Sequence, residues 1–167
     1  MKKLLFTLLM FAPMATFAQA KFAHFNSAEI MQAMPEMTAA RADLEKLGKD
    51  YEADIKAAQD ELQKKAADYE KEAATLPLNV KERREKELND MYARIQQSVQ
   101  DNQQAYAKKQ QELLLPIQTK VLDAIKAIGK AEGYVYIIDV TSTTIPYINE
   151  SLSTEITAKV KAKLNLK

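Results

Sequence analysis

Residues 44–76 read LEKLGKDYEADIKAAQDELQKKAADYEKEAATL, and residues 77–80, PLNV, break the run. Its apolar side chains fall at Leu44, Leu47, Tyr51, Ile55, Ala58, Leu62, Ala66, Tyr69, Ala73 and Leu76. These steps of three and four place them on one stripe of a helix. Beyond Pro77 the spacing returns at Leu88, Tyr92, Ile95, Val99, Tyr106, Leu113, Ile117, Val121 and Ile128. Laid antiparallel, the two stripes match: Leu44 meets Leu113, Tyr51 meets Tyr106, Ala58 meets Val99, Leu62 meets Ile95 and Tyr69 meets Leu88. That pairing centres a turn between Leu78 and Asn79, beside the helix-breaking Pro77. The prediction is a long helical hairpin whose first helix, roughly fifty residues from Ser27 to Leu76, reaches about 75 Å at the helical rise.

The stripe is narrow and thinned by alanines, and Lys, Glu, Asp and Gln surround it, so the hairpin buries one seam and leaves the rest wet. Gly48 sits inside the first helix at a cost of about 1 kcal/mol relative to Ala. At the tip, Asn79 and Glu82 have the spacing of a capping box for the return helix, while Leu76, Leu78 and Val80 find little to bury against. These three are the candidate contacts for whatever the arm holds. The run KERREKE, residues 81–87, alternates in sign and reads as a solvated helix face. The return helix is dense in amides between Gln96 and Gln111, a composition suited to weak, adaptable contacts and equally to simple solubility.

Both ends of the chain supply a base. Residues 21–25, KFAHF, alternate as a short strand, and Asn26 with Glu29 forms a capping box for the helix that follows. Ile30, Met31, Met34 and Met37 make an apolar patch at the root of the arm, and Pro35 bends this helix or marks its start. Pro116 is expected to kink the return helix where the arm enters the base, and Gly129 and Gly133 to end it. Residues 134–140, YVYIIDV, are aromatic and β-branched and form the clearest strand. A turn at 142–144, a short edge strand over Ile145–Ile148 containing Pro146, and a final helix from about Ser153 complete the chain. The fold class is α+β, mostly α: a long antiparallel helical arm projecting from a small β-rich oligomerisation base. The base takes residues 21–40 and 116–167, and the arm residues 41–115 with its tip near 76–80. A sheet this small does not cover two long helices alone, which points to a homo-oligomer joined through Ile117, Val121, Val135, Ile137 and Ile138.

Residues 1–20 are read as a cleavable signal peptide: Lys2 and Lys3, an apolar run from Leu4 to Phe17, and Ala18-Gln19-Ala20 at the cut. The run is shorter than a membrane span requires, and no other stretch is long and apolar enough for stable membrane insertion. The full chain has 24 Lys and Arg against 23 Asp and Glu; without Lys2 and Lys3 the balance is 22 minus 23, or −1. No attraction to nucleic acid follows. With no Cys, there is no disulfide and no thiolate chemistry. His24 is the single His, and three glycines form no phosphate-binding loop. No catalytic, metal or cofactor constellation is visible, and the acids of an exposed charged helix lack the burial that would tune them. The chain is not expected to be an enzyme.

The arrangement resembles the Skp, or OmpH, family of periplasmic chaperones. The likeness rests on the entry KFAHFNSAEIMQAMPEM, the charged hairpin, and the ending EGYVYIIDVTSTTIPYINESLSTEITAKVKAKL, in which Tyr134–Asp139, the Tyr147 region and Glu155-Ile156-Thr157 before Val160 match the family's closing pattern. The resemblance implies a periplasmic homotrimer whose arms enclose unfolded outer-membrane β-barrel proteins without ATP. A structural or adaptor coiled coil of the cell envelope is the competing expectation, and predicts arms consumed by a fixed partner.

Overall fold

A computed structural model of the chain describes residues 20–142 and 144–166. The expected signal peptide therefore lies outside the described residues, Ala20 excepted. Seven elements follow in order: β1 (Lys21–Phe25), α1 (Ser27–Ala33), α2 (Pro35–Glu72), α3 (Leu78–Glu132), β2 (Tyr134–Asp139), β3 (Ser153–Glu155) and α4 (Thr157–Lys163). α2 and α3 form the arm, and everything else gathers at one end of it. At the helical rise, the 38 residues of α2 extend about 57 Å and the 55 of α3 about 83 Å.

α1 begins at Asn26, whose side-chain oxygen accepts the Glu29 N–H at 2.9 Å. Only half of the expected capping box forms. The Glu29 carboxylate instead pairs with Lys161 at 2.6 Å, and the Asn26 N–H donates to Thr157 Oγ1 at 2.9 Å. Both displaced partners belong to α4, so this cap ties the first helix to the last. Pro35 occupies the first turn of α2, where its missing N–H costs nothing, and so marks a helix start.

The tip departs from expectation. α2 ends at Glu72, residues 73–77 turn, and α3 starts at Leu78 with Pro77 as its cap. The Pro77 carbonyl accepts from the Val80 and Lys81 N–H groups at 3.0 and 3.1 Å, and no side-chain cap bond forms, so Asn79 and Glu82 are not a capping box. A proline fixed near φ −59° is already shaped to lead into a helix, and the turn falls before it. The centre of the hairpin thus moves a few residues earlier than the apolar pairing placed it. At the other end, α3 runs unbroken through Pro116 and Gly129 and closes at Gly133, whose φ of 72° is left-handed. Gly129 has a different use: a Cβ there would stand 3.0 Å from Ile137 Cδ1, so the missing side chain lets β2 pack against the helix.

The sheet has three strands in the order β2-β1-β3, and β1 pairs in parallel with both neighbours. A parallel pair needs a crossover, and between β1 and β2 that crossover is the entire arm. The expected edge strand over Ile145–Ile148 is absent; those residues are irregular, and the third strand is Ser153–Glu155. Pro146 lacks the N–H a ladder requires, whereas β3 sets Ser153, Thr154 and Glu155 beside Phe22, Ala23 and His24. The last helix accordingly begins at Thr157 rather than Ser153. One face of the sheet turns Ala23 and Phe25 into a core with Ile30, Met34, Ala40, Ile117, Val121, Ala124, Ile125, Ile128, Ile156 and Val160.

Candidate functional site

The arm closes upon itself. Every predicted seam residue from Leu44 to Leu76, in α2 and the turn after it, is buried or half-buried, as are those of α3 except Tyr92. Tyr92 is 59 % exposed; Met91, one step round the helix, is half-buried and lies beside Ala58 and Ile95. Of the arm's distal two-thirds only Ile95 is buried, which makes this a thin seam reinforced by polar ties. Lys65 Nζ lies 2.7 Å from Glu87 Oε1, and the Tyr69 hydroxyl donates to Glu85. The Glu87 bond raises the Lys65 pKa and the Lys65 bond lowers that of Glu87. Midway along, Tyr51, Ile55, Val99, Asn102 and Tyr106, with Glu52, Lys56 and Asp60, line an open groove of about 670 Å³.

The tip residues do not converge into a pocket. Leu78 is 73 % exposed at the first position of α3, while Leu76 and Val80 are half-buried against the turn. Leu78 alone projects freely.

The base candidates divide. Ile117 and Val121 face the protomer's own core, and Ile137 covers Gly129. Val135 and Ile138 are exposed, as are Phe22, Tyr136, Leu115 and Leu122. Sequence periodicity missed these last four. Phe22, Tyr136 and Ile138 share the sheet face turned away from the core, since β1 pairs Phe22 with Tyr136, Ala23 with Ile137 and His24 with Ile138. A register shift next to Lys21 leaves Val135 as the extra residue, so strict alternation does not read this strand correctly. Leu115 and Leu122 lie seven apart on one helix face, a spacing visible in the sequence once the core face is known.

Polar groups in the base serve as ties. His24 Nδ1 lies 2.9 Å from Ser153 Oγ, joining β1 to β3. Partial burial pushes the Asp139 pKa up, but hydrogen bonds from Ser27, Thr141 and Ser142 outweigh it and hold the group at about 2. This carboxylate staples the end of β2 to the start of α1. Among the described residues no cluster of His, Asp and Glu is arranged to hold a metal ion, and no helix is long and apolar enough to cross a membrane.

Comparison with known proteins bears on the whole of this architecture. The family model described as outer membrane protein (OmpH-like) matches residues 21–164. The chain is 22 % identical over 150 residues to the chaperone protein Skp of Vibrio cholerae, covering 89 % of each chain. It is 25 % identical over 144 residues to the chaperone protein Skp of Photorhabdus laumondii, covering 86 % of this chain and 87 % of that one. In fold it resembles the crystal structure of an OmpH-like outer membrane chaperone from Caulobacter crescentus, with a TM-score of 0.73 at 18 % identity over 89 % of this chain and 85 % of the other.

Proposed function

The chain belongs to the OmpH-like outer membrane protein family, and from that premise we propose that it is a non-enzymatic, ATP-independent holdase of the periplasm. It is exported by a cleavable signal peptide over residues 1–20, assembles as a homotrimer through its base, and keeps unfolded outer-membrane β-barrel proteins from aggregating between its arms. The reading uses no cofactor. The observation that carries it is the contrast between arm and base. Along the arm the apolar stripes are spent on each other, so no dry face remains for a permanent partner, as an adaptor coiled coil would need. At the base, Phe22, Tyr136, Ile138, Val135, Leu115 and Leu122 remain exposed, enough apolar surface to join copies. Oligomerisation therefore falls to these residues rather than to Ile117 and Val121. Leu78, with Leu76 and Val80 behind it, is the tip's contact with the client.

The test is to dilute a urea-unfolded outer-membrane barrel protein into buffer with the mature protein and no nucleotide, and follow light scattering. Suppressed aggregation is expected; undiminished aggregation rejects the holdase reading and favours the adaptor.

A further inference from the structure

The amides of α3 are not scattered. At about 100° per residue, Asn89, Gln96, Gln100, Gln103, Gln104 and Gln111 fall in one sector about 100° wide, and from Asn89 to Leu122 that sector holds no charged residue. Asp90, Arg94, Asp101, Lys108, Lys109 and Glu112, with Lys120, all lie outside it. The six amides run along about 33 Å of helix within a charge-free length of about 50 Å, and their side chains are exposed. Solubility does not account for it, because α2 carries Lys, Glu and Asp over its exposed surface and is solvated by them. A face cleared of charge along half an arm is fitted to something neutral.

We infer that this stripe is the surface against which the client lies, and that what it recognises is the backbone of an extended, unfolded polypeptide. The inference rests on the holdase reading above. A glutamine amide both donates and accepts, as a peptide group does, so a row of them can satisfy the unpaired N–H and C=O groups of an unfolded strand whatever its side chains. Lacking charge, the row neither selects nor repels acidic or basic segments, and its bonds are individually weak because water competes for them. At the foot of α3 the sector divides. Leu114 and Val121 pack into the protomer's own core, whereas Leu122 stays exposed within the sector and Leu115 is exposed about 20° past its edge. If copies meet through Leu115 and Leu122, their amide stripes face one another across the space between the arms.

The experiment compares the assembled wild-type protein with two variants of matched size. One replaces Gln96, Gln100, Gln103 and Gln111 by Ala, which keeps both helix propensity and net charge. The other replaces Arg94, Asp101, Lys108 and Glu112 by Ala, again with no change in net charge. Binding of a fluorescently labelled, urea-unfolded outer-membrane barrel protein is titrated, with sedimentation run in parallel. The stripe variant is expected to bind roughly tenfold more weakly at unchanged mass, and the charged-face variant within about twofold of wild type. Raising the salt from low to physiological ionic strength is expected to change wild-type affinity by less than about twofold. Wild-type affinity in the stripe variant overturns the inference, and so does a steep salt dependence. A stripe variant that dissociates while each protomer still binds shows the stripe to be a contact between copies. Failure of the wild type itself to bind rejects the holdase reading, and the stripe with it.

Discussion

The rings of Phe22 and Tyr136 lie stacked on adjacent strands, 4° from parallel with centroids 6.3 Å apart, on the sheet face that the protomer leaves open. Such a pair adds about 0.5–1.5 kcal/mol to the pairing of β1 with β2. Its larger consequence is an aromatic surface beside Ile138 that the described residues leave partly uncovered.

Tyr136→Asp is therefore expected to break the assembly while sparing the protomer, because Tyr136 is 65 % exposed. Light scattering of the mature variant should give the mass of a single folded chain, with helical circular dichroism retained. Ile137→Asp, directed against Gly129, should unfold the base instead. A wild-type mass of one protomer would remove the assembly from the proposed function.

Removing residues 56–98 and joining Ile55 to Val99 by a short turn shortens the arm without touching the base core. The assembly should survive this deletion and aggregation protection should be lost. Protection that persists would show that the arms do not hold the client.

Within the arm, the buried contact outweighs the ion pair. Ile95→Ala should cost about 2–4 kcal/mol in urea unfolding, for it is the distal seam's one buried side chain. Lys65→Ala should cost no more than about 1 kcal/mol, and less at high salt, since the pair with Glu87 is solvent-exposed.

Gly48, inside α2, and Gly133, which closes α3, should respond with opposite sign. A Cβ at Gly48 would meet Tyr106 Cε2 at 3.7 Å, an ordinary contact, so Gly48→Ala should stabilise by about 0.5–1 kcal/mol. At Gly133 the φ of 72° strains any side chain, and Gly133→Ala should destabilise by about 1 kcal/mol. Thermal melts of the two variants should move apart from the wild-type midpoint.

Asp139 gives the base an acid limit. Its folded pKa of about 2 lies below the ordinary 3.8, so its contribution is complete above that ordinary value and fades as pH falls through about 2. Asp139→Asn should lower the melting temperature at neutral pH and flatten the decline between pH 4 and 2. A variant whose acid limb runs parallel to the wild type would assign that limb to other carboxylates.

The hairpin was legible because helical order is local. Spacing alone identified the seam from Leu44 to Leu76 and the return from Ile95 to Ile128, since residues three and four apart meet on a helix wherever it lies. Tyr134–Asp139 declared itself a strand by composition, and Asn26 a cap by its short side chain's amide oxygen. What the sequence could not disclose depends on partners far along it. That Ser153–Glu155 rather than Ile145–Ile148 forms a strand follows from the free edge of β1 and from Ile156 and Val160 sinking into the core, contacts made across some 130 positions. The same distance hides the exposure of Phe22, Tyr136, Leu115 and Leu122: an apolar side chain carries no mark saying which of two faces its own chain will cover. The local rules settle the elements, but only the packed base decides which apolar residues remain for another copy, because burial is a property of the neighbours a residue acquires.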